Sequence, residues 1–160
     1  VDEKQDTSIT LDANTLQPYQ AIVFASNNRV FTAAEVTAVR TFIAKGGGIL
    51  VFSDGQFGFE QGRNSDNPFV SGVGMIVHHD NQAGLFTVSQ FTQPHYITDG
   101  ITFTGYDVSL VRANASPAVK LAGCQGGNCV LNPADGTIQP SDAALVVAPF
   151  GFGRVPATFD

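Results

Sequence analysis

An α/β fold is predicted, with a parallel core and an appended β-rich, partly antiparallel C-terminal half. Three observations carry this. "YQAIVFAS" (Tyr19 to Ser26) is a short apolar run rich in Ile, Val and Phe, which reads as a strand buried on both faces. "FTAAEVTAVRTFIAKGGG" follows, with helical periodicity. "ILVF" (Ile49 to Phe52) is a second buried run. A strand–helix–strand crossover of this length makes its two strands parallel and its connection right-handed.

The helix has a defined start and stop. Thr32 followed three residues later by Glu35 is a capping box, in which each side chain satisfies the other residue's backbone N–H. Val36, Val39, Phe42 and Ile43 then fall on one face. Lys45 suits the negative end of the helix dipole, and Gly46 is placed to end the helix in a left-handed cap. Before this unit, Val1 to Thr7 is polar, and Ile9 to Leu11 reads as a short edge strand.

After it, Gly55 to Asn67 is polar and glycine-rich. Pro68 can open a short helix that Gly74 would end. "MIVHH" (Met75 to His79) and "GLFTVSQF" (Gly84 to Phe91) read as strands, and Asp80-Asn81-Gln82-Ala83 between them reads as a hairpin loop. Further strands are expected near Val108 to Val111, Val119 to Ala122, Cys129 to Leu131, Ala143 to Ala148 and Val155 to Phe159. Neither an internal repeat nor a composition shift divides residues 1–160, so one domain is expected.

Composition excludes several function classes. The net charge is −6, from 8 Lys+Arg against 14 Asp+Glu, so the chain is a poor neutraliser of phosphates and nucleic acid is not an expected partner. No apolar run reaches the roughly 20 residues of a spanning helix, and no basic amphipathic stretch suits a membrane surface. Charged residues are 14 % of the chain, against about 25 % in an average domain. With many Gly, Asn, Thr and Ser, this leads us to expect an extracellular or cell-surface protein.

The cysteines point the same way. "CQGGNC" sets Cys124 and Cys129 on either side of a Gly-Gly turn, close to the geometry of a hairpin disulfide. Free thiols, or half of a metal site, are the alternatives; the sequence holds no second Cys pair and no nearby His to complete a zinc site. Asn114-Ala115-Ser116 fits the glycosylation acceptor pattern.

"LQPYQAIVFAS…FTAAEVTAVRTFIAKGGGILVFSDG" resembles the central strand–helix–strand of class I glutamine-amidotransferase-like domains. "PFVSGVGM", "PHYITDGI" and "FGFGRVPATFD" resemble later segments of their non-catalytic branches. The resemblance implies a flavodoxin-like core. It also implies an incomplete domain, lacking the usual first strand–helix and last helix, as in part of a longer polypeptide. Such enzymes keep a Cys within G-x-C-x-G at the strand-end elbow and a late H-x-E pair. The matching stretch here is Phe52-Ser53-Asp54-Gly55, and no H-x-E occurs. Glutamine hydrolysis is therefore not expected.

A serine nucleophile needs a base and a group that orients the base. Ser53 or Asp54 sits at the elbow, with His95, His78 or His79 as helpers. His78 and His79 are neighbours on a strand and face opposite ways, so they cannot share one site. His95 follows Pro94, where an imidazole often serves as a structural hydrogen-bonder. The loop aspartates, Asp66, Asp80, Asp99, Asp107 and Asp135, fit no calcium loop. "GFGRV" and "KGGGI" lack the Lys-Ser/Thr ending of a phosphate loop. Neither a metal nor a cofactor is expected.

Ligands of parallel α/β sheets sit at the carboxyl ends of the strands. A binding edge is therefore expected at Asn27, Asn28, Asp54 and Gln56, with Arg63 folding over. Two functions follow. One is a non-catalytic binding or assembly module of a larger secreted or surface protein, its partner another domain, another chain or a glycan. The alternative is a hydrolase acting on a sugar or ester, with Ser53 or Asp54 at the elbow. The missing Cys and H-x-E lean against an enzyme.

Overall fold

The computed structural model describes residues 9–25, 29–53, 66–77, 85–88, 95–100, 103–106, 111–122, 142–143 and 145–159. The strand–helix–strand unit forms as expected. β1 (Ala21–Phe24) lies parallel to β2 (Gly48–Ser53), and α2 (Ala33–Ala44) crosses between them. The capping box of Thr32 and Glu35 is made in both directions. Gly46 takes φ 110°, the left-handed conformation that ends the helix, and Lys45 is the C-cap. Val39 and Ile43 of α2 are buried, and Val36 and Phe42 pack beside them.

β10 (Gly153–Phe159) lies parallel to β2 on its other side. β9 (Leu145–Phe150) pairs antiparallel with β10, and β7 (Val119–Ala122) antiparallel with β9. The sheet order is β1-β2-β10-β9-β7. The parallel core therefore continues directly into antiparallel strands from the second half, and the α/β expectation is met. Two smaller antiparallel sheets accompany it. In one, β6 (Val111–Ala113) sits between β3 (Met75–Val77) and β8 (Asp142–Ala143); in the other, β4 (Leu85–Val88) pairs with β5 (Phe103–Tyr106).

One face of the large sheet holds the core. Ile22 and Phe24 of β1, Ile49 and Val51 of β2, Val155 and Ala157 of β10, and Val146 and Ala148 of β9 meet Val39 and Ile43 of α2. Met75, Val77, Val111 and Ala143 of the small sheet join the same cluster. A short helical stretch, residues 66–70 with its 3-10 continuation Ser71–Val73, adds Phe69, Val70 and Val73. Gly74 ends it at φ 80°, as expected, although Asp66, ahead of Pro68, is already helical.

Three expectations are corrected. Ile9 to Leu11 is not a strand: this stretch leads into the short helix α1 (Ala13–Leu16), capped by the Asp12 side chain, which accepts from Thr15 N–H at 2.8 Å. β1 is not buried on both faces; it is an edge strand, with Val23 58 % exposed. β3 and β4 do not form a hairpin, because β3 pairs with β6 and β4 with β5. Of the strand expected near Val108 to Val111, residues 108–110 lie outside the described residues, Val111 opens β6, and β5 is a strand that was not expected.

The β9–β10 hairpin is seated hard on the end of α2. Phe152 N–H donates to the Ala44 carbonyl at 3.2 Å. Gly151 has φ 60°, and a Cβ there would come within 2.7 Å of the Ala44 backbone. Gly100 is also left-handed, at φ 70°, but a Cβ there meets nothing within 4 Å. Gly151→Ala should therefore cost backbone strain plus a clash, about 2–3 kcal/mol, and Gly100→Ala only the strain, about 1 kcal/mol. Thermal unfolding of the two variants checks this: Gly151→Ala should show clearly the larger drop in Tm.

Candidate functional site

The carboxyl ends of β1, β2 and β10 lie together. Ser53 is the last residue of β2, and its backbone is in register with Phe159 of β10. Ser53 thus stands where a strand-end nucleophile would. Asn27, Asn28, Asp54, Gln56 and Arg63 lie outside the described residues, as do His78, His79, Cys124 and Cys129.

What the structure does describe at this end is a clamp that sequence reasoning missed. The Glu35 carboxylate lies at the N-terminus of α2 and is almost fully buried, at 3 % exposure. Its Oε1 accepts from Arg29 Nη2 at 2.7 Å and from Leu11 N–H at 3.2 Å. Its Oε2 accepts from Arg29 Nη1 at 3.2 Å, from Thr32 N–H at 2.9 Å and from Thr32 Oγ1 at 3.0 Å. Arg29 Nη2 also donates to the Ile9 carbonyl at 3.3 Å, and the guanidinium stands 4.1 Å over the Phe31 ring. One carboxylate thereby fixes the approach to α1, the loop after β1 and the start of α2.

Below the clamp, Phe24, Phe31 and Phe69 form an aromatic cluster. Phe24 stacks on Phe69 at 4.5 Å, and Phe31 meets both rings edge-on, at 5.8 and 4.8 Å. Asn67 binds the end of β3 through its amide, with Oδ1 accepting from Val77 N–H at 2.8 Å. Arg40 of α2 donates to the Pro68 carbonyl at 2.7 Å. The helical turn is thus pinned to both α2 and β3.

His95 is described, and its contacts among the described residues lie in its own turn. Its Nδ1 accepts from Ile97 N–H at 3.2 Å, its carbonyl accepts from Thr98 N–H and Thr98 Oγ1 at 2.9 Å each, and its ring stacks on Tyr96 at 4.4 Å. A ring nitrogen that accepts from the backbone organises a turn, the structural role expected of an imidazole after a proline. Among the described residues, no group of three or more His, Cys, Asp or Glu is placed to hold a metal ion.

The opposite face of the sheet is the second candidate site. Val23 is beside Leu50 in the β1–β2 register. The constant offset between β10 and β2 sets Pro156 beside Leu50, Pro156 pairs with Val147, and Val147 with Val119. Val23, Leu50, Pro156, Val147 and Val119 therefore form an apolar row across all five strands. It lies on the face away from α2. Its ends are the most open, with Val23 58 % and Val119 40 % exposed. Arg154 and Pro149 are exposed next to it.

No family model and no curated protein matches the chain. Solved structures do. The mmIFT52 N-terminal domain superposes with a TM-score of 0.69 at 19 % identity, over 94 % of this chain and 70 % of that one. A cytoplasmic protein from Salmonella typhimurium superposes with a TM-score of 0.61 at 12 % identity, over 97 % of this chain and 65 % of that one. A β-galactosidase from Bacillus circulans sp. alkalophilus gives 0.61 at 13 % identity, over 89 % of this chain and only 20 % of that one. At such identities the likeness shows the fold alone. None of these three is named as a glutamine amidotransferase.

The clamp makes a pH prediction. The Arg29 guanidinium, followed by the Thr32 and Leu11 hydrogen bonds, holds the Glu35 carboxyl at about 2, down from 4.5, against the opposing effect of burial. A carboxyl with a depressed folded-state pKa contributes stability above its unfolded value and loses it as pH falls through the folded one. That contribution, about 3 kcal/mol by linkage, should therefore disappear between pH 4.5 and about 2. Denaturant unfolding across this range should show the loss. Glu35→Gln should be less stable at pH 7 and should flatten the acid slope.

Proposed function

We propose that this chain is a non-catalytic α/β binding or assembly module of a larger secreted or surface protein, with other domains or chains, or a glycan, as its partner. One observation carries the reading: the apolar row across the sheet face away from α2, open at both ends. An apolar stripe of this kind on a sheet that is covered on its other side is a surface to be packed against. Its neighbours on that face include Ala21, Gly48, Phe52, Leu145, Pro149 and Arg154.

The strand-end clamp supports the same reading. Arg29 and Glu35 neutralise one another and tie down backbone, so neither is left to bind or activate a substrate. His95 is likewise engaged in its own turn. The match to one fifth of a β-galactosidase chain supports a place inside a longer polypeptide. The resemblance to the non-catalytic glutamine-amidotransferase-like branch, the low charge and the close cysteine pair support the silent, extracellular character.

The test is exposure of the native chain to a fluorophosphonate probe, read by intact mass and peptide mapping. The expected result is no adduct, because an unactivated serine does not react at a useful rate. A stoichiometric adduct on Ser53 would establish an activated nucleophile and overturn the module in favour of an ester or sugar hydrolase.

A further inference from the structure

The aspartates among the described residues are held to different degrees. Asp12 caps α1, its carboxylate accepting from Thr15 N–H and Thr15 Oγ1 at 2.8 Å each, and Ala13 follows it. Asp66 is buried at 1 % exposure and is followed by Asn67. Asp142 lies in β8, level with Arg112 of β6, and is followed by Ala143. Asp99 is exposed, and the residue after it is a glycine.

The turn that carries Asp99 is anchored upstream of it. Thr98 is 5 % exposed, and its N–H and Oγ1 both donate to the His95 carbonyl at 2.9 Å. Ile97 N–H donates to His95 Nδ1 at 3.2 Å. Asp99 and Gly100 form the exposed end of this turn. Gly100 stands at φ 70°, a conformation that glycine takes without strain. The place where its Cβ would stand has no atom within 4 Å. No β-carbon shields the Gly100 nitrogen, and nothing crowds that side of the residue.

We propose that Asp99-Gly100 is a site of spontaneous backbone modification, at which Asp99 closes a cyclic imide with the Gly100 nitrogen and reopens to an isoaspartyl linkage. In the first step the Gly100 nitrogen attacks Asp99 Cγ. The N–Cγ bond forms, the bond from Cγ to its hydroxyl breaks, and the hydroxyl leaves with the amide hydrogen as water. In the second step a solvent water adds to one of the two ring carbonyls. Addition at Cγ restores aspartate. Addition at the Asp99 carbonyl carbon breaks the bond from that carbon to the Gly100 nitrogen, and the chain then runs through the side chain. Nothing is oxidised or reduced, and the product has the mass of the starting chain.

Ring closure makes two demands. The backbone at Asp99 must rotate to bring the next nitrogen over Cγ, and that nitrogen must be approachable. Strand pairing fixes the backbone at Asp142, and the capping bonds hold the Asp12 carboxylate in place. Burial keeps Asp66 from the water that reopens the ring. Each of these three also precedes a residue with a β-carbon. Among the described aspartates, Asp99 meets both demands. The isoaspartyl form adds one methylene to the main chain beside Tyr96, which is 71 % exposed, and leaves the anchor at Thr98 in place. An exposed turn is thereby altered with time by the chain's own atoms.

The test is storage of the native full chain for weeks at neutral pH in heavy-oxygen water. Each passage through the imide leaves one solvent oxygen on the residue. Peptide mapping locates that label, and electron-transfer fragmentation separates isoaspartate from aspartate. Label and isoaspartate should build up at Asp99 and not at Asp12, Asp66 or Asp142. Asp99→Glu, which keeps the charge but would need a larger ring, should lose both. Gly100→Ala, which keeps the fold and restores a β-carbon, should slow the build-up several-fold. A native chain with no label at Asp99 overturns the proposal. So does equal labelling of Asp12, or a rate that Gly100→Ala leaves unchanged. A probe adduct on Ser53 would end the silent-module reading and leave this one standing.

Discussion

The fold at its candidate ligand-binding end depends on one buried carboxylate. Glu35 is at once the N3 residue of a helix cap, the anion for Arg29 and the acceptor for the Leu11 backbone. Removing a charge from water is costly unless every lone pair finds a donor. Here five donor contacts meet the two oxygens, including both terminal nitrogens of the guanidinium. Three chain segments are thereby held in one geometry, each of which also gives apolar side chains to the core: Leu11, Phe31 and Val39. The aromatic cluster of Phe24, Phe31 and Phe69 then packs beneath a lid whose position the carboxylate has set.

This arrangement bears on function through what it consumes. A strand-end arginine in an α/β sheet is the natural partner for an anionic ligand. Arg29 occupies that position in the chain and is turned inward, onto Glu35, the Ile9 carbonyl and the Phe31 ring. A cation so placed ties a carboxylate and a backbone carbonyl together. The Arg29–Glu35 pair is also poorly suited to moving protons, since the carboxyl remains ionised far below neutral pH.

The parts of the fold that were legible in the sequence are those written locally. The Thr32–Glu35 box, the spacing of Val36, Val39 and Ile43, and the glycine at 46 lie within one helix, and each has a direct physical meaning. What was not legible depends on partners far along the chain. A four-residue apolar strand reads alike whether one or both faces are covered, so the edge position of β1 was hidden. β3 and β4 are neighbours in sequence with a polar loop between them, yet each finds its partner beyond that loop. Arg29 precedes Glu35 by six residues, a spacing that no helix or strand rule marks as a contact. The Asp12–Thr15 cap is also local, with Asp12 three residues before the N–H that it accepts from. Of the candidate site, the place of Ser53 at a strand end and the structural use of His95 were legible, because both follow from local chain geometry.

The sheet itself frames the functional argument. A helix and a small sheet cover one face, where Ile49, Val51, Val155 and Ala157 are all but inaccessible. The other face keeps apolar residues at matching positions on every strand, yet its first and last members are open to water. Selection against aggregation works on such surfaces, as the lysine and irregularity of β7 illustrate. β1 bears no comparable device, and Val23 on it stands 58 % exposed. On the module reading proposed above, the open ends of this row, Val23 and Val119, are what a partner would cover.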